Sequence, residues 1–505
     1  MPNDLRYAAY PSAKVFDAEG HQIKHLLWGD WVHVTGGEVA GKVPVHVRGK
    51  DGFMAPGDLQ SEPLLEVVFV DVGQGDGCLV VTPDDRKLVI DAGIGDNMAR
   101  YLRWRFNFRG GVRTFDAAVI THPDADHYKG FTPLFDEPNL RFRRIFHNGI
   151  MEQHGDPFGP EEVAGGVKYI TEPMTGRAEL EVFLADPSRY TTKLYANLLK
   201  KGLARLTPDG DIRMAAASGD PAHPSYLEGF EPPGAVRLRL LGPVPEPDAA
   251  GRPRLRWFRD LPTGGSYSTS KTKNGQSVIL VLEYGELKIL LGGDLNASSE
   301  SFLLSHYTGL PCPSADSNAE QILIEAARAH LGADIVKCCH HGAADFTDAF
   351  MAANGAAATI VSSGDEESHA HPRSDTLGAI GRHGRGWRPL ILSTELSRST
   401  REDEGTKGVE LGRLFEKIDA ETDPTKRAVL IAERDRLVEE LAERNVTTYG
   451  AINLRTDGRC AVMAYMLERE RAGNQGGKKT LTRWDIYQLE KVGSGPLVYV
   501  PRAGH

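Results

Sequence analysis

From Leu64 onward, apolar residues come in short runs bounded by glycine-rich turns. LLEVVFVDVGQGDGCLVVTP and RKLVIDAG predict consecutive strands, FDAAVITHPDADH a strand entering a loop, and SVILVLEYGELKILLGGDLN a hairpin turning at Tyr284-Gly285. A helical period interrupts the series at AEQILIEAARAHLG, and ADIVKCCHHG, ATIVSSGD and RPLILST then resume it. The predicted strands end repeatedly in polar residues: Asp91, His122, Asp294 and His340. Strand ends that converge on one edge are how sheet enzymes assemble a site.

Before Leu64 the pattern is different. The runs WVHVTG and VPVHVRG, separated by glycine turns and closed by KDGFMAPGDL, predict a small β unit over residues 1–62, with Trp28 and Trp31 beside its first run. Two later segments look inserted. Residues 150–270, rich in proline, glycine and charge, predict a cap with helical stretches such as TTKLYANLLKKGLARL. Residues 403–445 predict a helical hairpin: Leu411, Leu414, Phe415 and Ile418 share one face, and Leu430, Leu437, Val438 and Leu441 another. Between them Asp423-Pro424 reads as a cap followed by a first-turn proline. The strand pattern returns at TTYGAINLRTDGRCAVMAYM, so residues 446–505 are expected to complete the core over 63–402.

At 505 residues the chain is too long for one ordinary domain, and its 40% hydrophobic content supports a large buried core. Five scattered cysteines (Cys78, Cys312, Cys338, Cys339, Cys460) argue against a disulfide framework and for a reducing compartment. MPNDLRYAAYPS has no basic segment leading into an apolar one, and SVILVLEYGELKILLGG is broken by Glu283, Glu286 and Lys288. The expectation is a cytoplasmic protein without a membrane span. A formal charge of −10 repels polyanions on average, yet local patches decide binding.

Thr121-His122-Pro123-Asp124-Ala125-Asp126-His127 places four potential metal ligands within six residues. At a strand end such a loop can wrap a metal centre, with His122 and Asp124 on one side and Asp126 and His127 on the other. Two ions also need a bridging carboxylate, for which Asp294 in GGDLN is suited, and either His340 or His341 can close the second site.

These motifs together, FVDVGQGDGCLVV with LVIDAG, THPDADHYKG, NGQSVILVLEYGELKILLGGD, and VKCCHHG followed by HAHPRSDTL, resemble the metallo-β-lactamase domain of the DNA-uptake competence family ComEC. The likeness runs in order over residues 64–396, and YGAINLRTDG is similar to that domain's closing strand. It implies an α+β fold, a four-layer αββα sandwich, and phosphodiester hydrolysis by metal-activated water with two divalent ions (Mn²⁺ or Zn²⁺, with Mg²⁺ as a further candidate). The first 62 residues resemble a bacterial Src-homology-3-like barrel, whose relatives bind peptides or neighbouring domains; the competing reading is an appendage that covers the core. Where the wider fold has a second histidine in its His-x-His-x-Asp-His pattern, Asp124 stands here, and Asn274 takes the place of a further histidine. Oxygen ligands are harder than imidazole and favour manganese or magnesium. Asp126 is expected to orient water as well as ligate. Asp91 resembles the first-motif aspartate that orients a ligand from outside, against the alternative of a loop-capping carboxylate. His371 is a candidate to contact phosphate or protonate a leaving oxygen, against a structural loop histidine.

Other residues carry weaker expectations. Asp76 and Gln74 read as part of a hairpin turn, since the G-x-G-D loop lacks the helix a phosphate cradle needs. Cys338 and Cys339 read as core filler, and His147 and His369 as minor candidates. RYLRWRFNFRGGVR interleaves Arg103, Arg105 and Arg109 with aromatic residues, a composition suited to single-stranded nucleic acid; the alternative is an amphipathic helix with its arginines in water. The expected function is therefore a nuclease on DNA or RNA. The rivals are a small-substrate enzyme such as a cyclic-nucleotide phosphodiesterase, and a partner-binding module using the barrel or hairpin for association.

Overall fold

The computed structural model describes residues 4–108, 111–260, 265–313, 315, 317–364, 369–396, 413–414, 416–418, 420–443, 450–467 and 483–501. Among them, the largest sheet has ten strands: Leu206–Met214, Leu140–His147, Arg113–Val119, Lys87–Ala92, Gly77–Val81, Leu65–Phe69, Ile452–Thr456, Ala461–Leu467, Arg483–Lys491 and Leu497–Val500, in that order. A seven-stranded sheet runs Ser225–Tyr226, Val236–Gly242, Ile279–Tyr284, Leu287–Leu291, Ile335–Lys337, Ala358–Val361 and Leu390–Ser393. In the first sheet the four strands from Lys87–Ala92 to Leu206–Met214 are mutually parallel; in the second, the last four are.

The near-continuous apolar runs follow from burial on both faces. Val67 and Phe69 point into a core shared with Leu238, Leu280 and Leu290 of the second sheet, while Val68 and Val70 point the other way. There they meet Leu102, Leu134, Leu180 and Leu199 from the helices Asn97–Phe106, Phe131–Asp136, Arg177–Leu184 and Leu194–Leu203. Helices Ala297–Thr308, Asn318–Leu331 and Asp348–Asn354 pack against the second sheet through Leu303, Ile324 and Phe350. The chain is thus a mixed α/β protein in which two sheets meet across a common core.

Residues 150–270 are not one cap. Leu206–Met214 is an edge strand of the ten-stranded sheet, and Val236–Gly242 pairs with Ile279–Tyr284 inside the other. In VRLRLLG, Val236, Leu238 and Leu240 alternate into the core, a strand signal hidden by the proline, glycine and charge around it. What stands apart is a four-stranded sheet of Glu161–Ala164, Val167–Ile170, Pro253–Arg256 and Glu246–Pro247, whose Ile170 and Leu255 pack with Ile150, Phe158 and Trp257.

The N-terminal residues form a seven-stranded antiparallel sheet with its own core of Ala8, Val15, Leu26, Val32, Val45 and Met54. It docks on the C-terminal strands. Leu27, Trp28 and Leu64 cover Val462, Ala464, Met466, Trp484 and Ile486, and Trp484 Nε1 donates to His25 O at 3.2 Å. Exposing Val462, Met466, Trp484 and Ile486 would cost roughly 1.5–3 kcal/mol each, comparable in sum to a domain's whole stability. Helix Pro424–Glu443 begins as expected, with Asp423 Oδ1 accepting from Thr425 N at 2.8 Å, and it lies against helix Asn97–Phe106. Leu414, Ile418 and Leu437 are buried, while Leu411 and Phe415 lie outside the described residues. No helix among the described residues is long and apolar enough to cross a membrane.

Candidate metal centre

The site forms where parallel strands of both sheets end. Lys87–Ala92 delivers Asp91 and Arg113–Val119 leads to His122; Leu287–Leu291 leads to Asp294 and Ile335–Lys337 to His340 and His341. Asp124 precedes the single helical turn Ala125–Tyr128, which carries Asp126 and His127. The Gly73–Gly75 loop presses against this turn: a Cβ on Gly75 would sit 1.8 Å from Asp126 O, so only glycine allows the approach. His340, His341 and Gly342 have φ of +49°, +54° and +83°, three left-handed residues in succession. Left-handed backbone at non-glycine residues costs on the order of 1–3 kcal/mol each and persists where its surroundings enforce it. Here the run ends the strand's alternation and brings both imidazoles to the same side, each within 4 Å of Asp294.

Hydrogen bonds fix which ring nitrogen faces inward. Thr121 Oγ1 donates to Asp91 Oδ2 at 2.7 Å, so it can only accept from His122 Nδ1, 3.0 Å away. Ser277 Oγ donates to Asn274 O and likewise presents an acceptor to His122 Nδ1 at 3.3 Å. His127 Nδ1 donates to Asp91 Oδ2 at 2.8 Å, and His341 Nδ1 lies 3.1 Å from both Asp76 Oδ1 and Ser362 O. All three histidines therefore present Nε2 to the site, with acceptors on the Nδ1 side.

His127 Nε2, His341 Nε2 and Asp294 Oδ2 converge, with separations of 3.2 Å between the nitrogens and of 3.2 and 3.3 Å to the oxygen. Donor atoms about 2.1 Å from one ion lie about 3.0 Å apart on an octahedron and about 3.4 Å apart on a tetrahedron. Asp126 Oδ2 is 3.5 Å from His341 Nε2 and adds a fourth donor. Asp76, His127, Asp294 and His341 are all buried, and one potential ligand atom from each lies within 4.8 Å of the others. The donor set fits a divalent ion. His122 Nε2 and Asp294 Oδ1 have no hydrogen-bond partner, as ligand atoms held for a metal would.

The electrostatics agree. Burial pushes the imidazoliums of His127 and His341 down, yet the surrounding carboxylates, Asp294 foremost, bring both well above the ordinary histidine range. Asp294 is held well below the ordinary carboxylate range, burial being outweighed by His127, His341 and His340. His122 goes the other way: burial and the nearby His127 keep it neutral.

The outer part of the site is looser. His122 Nε2 lies 3.8 Å from Asp124 Oδ2 and 3.9 Å from Asp294 Oδ2, and His340 Nε2 lies 3.9 Å from Asp294 Oδ2. The Asn274 amide lies between Asp124 Oδ2, to which it donates at 2.8 Å when turned to satisfy both ends, and His340. The His371 ring stands 5.5 Å from that of His340, and His369 is 5.8 Å from His371.

Two lysines escaped the sequence reading. Lys337 is buried, pairs with Asp76, donates to Gly293 O at 3.2 Å and lies 3.9 Å from Asp294 Oδ1. Lys273 pairs with Asp124. The Asp76 turn, read as a plain hairpin, belongs to the site, because Asp76 Oδ1 lies 3.1 Å from His341 Nδ1 and Asp76 is part of the buried Asp/His cluster. Asp76 shares with Asp91 the mark of an acid next to a glycine turn at a strand end. His147 is buried and held neutral at about 4 by desolvation, outside the cluster; Cys338 packs on Val361 and Ile380.

Arg103 and Arg105, expected as substrate guides, are not brought to the metal cluster. Arg105 pairs with buried Glu66 at 3.2 Å and Arg103 with Glu137 at 3.2 Å; Arg109 lies outside the described residues. The C-terminal end of their helix meets the start of strand Arg113–Val119 through Arg113 Nε donating to Phe106 O. His122 follows the other end of that strand, about 20 Å away at ~3.3 Å per residue.

Residues 71–170 match the family model described as the Metallo-beta-lactamase superfamily, a stretch that holds Asp76, Asp91 and the His122–His127 loop. The chain is also similar to a solved structure described as "Rm3 metallo-beta-lactamase", at 14% identity, over 54% of this chain and 77% of that one, with a TM-score of 0.23. No curated protein matches. Residues 71–170 thus carry a metallo-beta-lactamase superfamily domain, and the buried cluster that Asp76 and His127 form with Asp294 and His341 is suited to metal ions.

Proposed function

We propose that this chain is a metal-dependent phosphodiesterase, with nucleic acid as its first candidate substrate. The observation that carries the metal-dependent reading is the convergence of His127 Nε2, His341 Nε2 and Asp294 Oδ2 at 3.2–3.3 Å. The phosphodiester reading rests on the oxygen-rich donors Asp124, Asp126 and Asp294 and on the ComEC-like motifs that contain them. A bound divalent ion would supply Lewis acidity and activate water at neutral pH. Asp126, His127, Asp294 and His341 would hold it, and Asp91 and the Ser362 carbonyl accept from Nδ1 of the two imidazoles, leaving Nε2 to ligate. Asp126 also faces the space where water must be oriented. His371, at the rim beside His340, is the candidate to protonate a leaving oxygen.

One observation favours a small diester, such as a cyclic nucleotide, as the second reading. The arginines expected to guide a polymer lie at the far end of the sheet, and the net charge is −10. Metal-stripped protein restored with Mn²⁺, Mg²⁺ or Zn²⁺ and assayed on bis-p-nitrophenyl phosphate, DNA and RNA oligonucleotides and cyclic nucleotides decides between them. The expected result is diester hydrolysis, restored better by Mn²⁺ than by Zn²⁺, and lost at least a thousandfold in a folded His127→Ala variant. Cleavage of cyclic nucleotides alone selects the second reading. Inactivity on every diester with every ion overturns both.

A further inference from the structure

Lys273 lies in helix Thr269–Gly275, which leads into strand Ile279–Tyr284. Its ammonium contacts Asp124 Oδ1 directly and sits 3.3 Å from Glu152 Oε1, with the side chain 18% exposed. Asp124 is the residue that replaces an imidazole of the wider pattern, and its carboxylate and that of the shared Asp294 face His122 in the outer half. A histidine at this position could not accept an ion pair from a lysine; an aspartate can, and does.

Geometry separates the two halves of the centre. Of the inner donors, His127 Nε2, His341 Nε2 and Asp294 Oδ2 are 3.2–3.3 Å apart, the spacing of ligands around one ion, and Asp126 Oδ2 is 3.5 Å from His341 Nε2. The outer contacts, from His122 Nε2 to Asp124 and Asp294 and from His340 Nε2 to Asp294, are 3.8–3.9 Å. That exceeds the ~3.4 Å between tetrahedral ligands, so the outer half must contract to grip an ion. A divalent ion entering there must also take Asp124 from an ammonium shared with Glu152. Lysine is a compact point charge on a flexible stem, suited to fill a cation's place and to be displaced from it.

We infer that Lys273 is the resident cation of the outer half: the protein takes one divalent ion tightly at Asp126, His127, Asp294 and His341, and Lys273 competes with a second for Asp124. The inference rests on the metal-dependent reading and narrows its two expected ions to one tight and one weak. It also gives the asymmetry a cause in this chain's own residues.

The test is ion stoichiometry, independent of activity. Metal-stripped full chain is titrated with Mn²⁺, with free ion followed by electron paramagnetic resonance and bound ion by elemental analysis after equilibrium dialysis. The wild type should hold one ion per chain, with a second at least tenfold weaker. Lys273→Met should tighten the second at least tenfold, to two per chain, whereas Lys273→Arg should stay at one. Asp124→Asn, which serves even if Lys273→Met fails to fold, should keep the tight ion and lose the weak one. Two equally tight ions in the wild type, unchanged stoichiometry in folded Lys273→Met, or loss of the tight ion in Asp124→Asn each overturn the inference while leaving the metal reading standing. A wild type that binds no ion removes both.

Discussion

Asp294 and Glu300 lie six residues apart in the chain, at 3% and 1% exposure, and burial pushes both carboxyls toward the neutral form. They end at opposite extremes. Asp294 faces His127, His341 and His340 and stays ionised, well below the ordinary carboxylate range. Glu300, on helix Ala297–Thr308, accepts from the backbone N–H and hydroxyl of Thr347, and neighbouring Asp345 opposes its ionisation; burial dominates and raises it to about 8. Depth does not make the functional carboxylate. Cationic or cation-seeking partners do. Glu300 is best described as a neutral hydrogen-bonding strut between two helices.

The largest effect should come from Asp294→Asn. Losing the charge that both inner imidazoles face should abolish tight ion binding and lower diester hydrolysis at least a thousandfold, with the circular dichroism spectrum unchanged. Retained ion binding in that variant would remove Asp294 from the centre of the comparison. Glu300→Gln should act on stability alone. A folded pKa raised from 4.5 to about 8 favours the folded state fully below the unfolded value, and this contribution fades as pH rises through 8. Wild-type melting temperature should therefore fall from pH 6 to pH 9 by several degrees more than that of the variant, whose amide cannot ionise. Parallel melting curves would show that Glu300 is already charged.

The smallest catalytic effect tests a third buried carboxylate. Burial raises Glu66, yet Arg105 and Arg455 hold it down at about 2, a charge kept for structure at the opposite end of the sheet. Arg105→Ala should lower the melting temperature, and Arg103→Ala, losing a half-exposed pair, should hardly change it. Neither should alter turnover of a small diester or the salt dependence of oligonucleotide binding. A shallower salt slope in either variant would return the arginines to the substrate path.

Much of the centre was legible because its ligands sit at strand ends, where a change from apolar to polar marks the edge of a sheet. The loop from His122 to His127, GGD and HHG all carried that mark. Lys273 and Lys337 did not, because a lysine near a strand reads as solvent-facing until its carboxylate partner, far away in sequence, is known. Asp76 was passed over because a glycine turn accounts for an acid without a site. The joint use of His340 and His341 depends on left-handed backbone, and nothing in two adjacent histidines announces a break in strand alternation. In the fold, alternation identified the strands on either side of residues 150–270 but failed within, where Val236–Gly242 is flanked by prolines and charge. The docking of the N-terminal sheet rests on pairs such as Trp28 with Trp484, whose separation in sequence exceeds what any local pattern can report.

Strand Leu65–Phe69 lies beside Ile452–Thr456, and the N-terminal sheet rests on the two strands that follow it. During synthesis, then, an early strand waits for its neighbour while about 390 residues are added, on the order of 20–80 s at ~5–20 residues per second. Throughout that time the edge opposite Gly77–Val81 is unpaired, and Leu27, Trp28 and Leu64 have nothing to cover. The N-terminal sheet and the strands from Ile452 onward act as a clasp that shuts late, so synthesis halted before Ile452 leaves an adhesive nascent protein rather than a shortened enzyme.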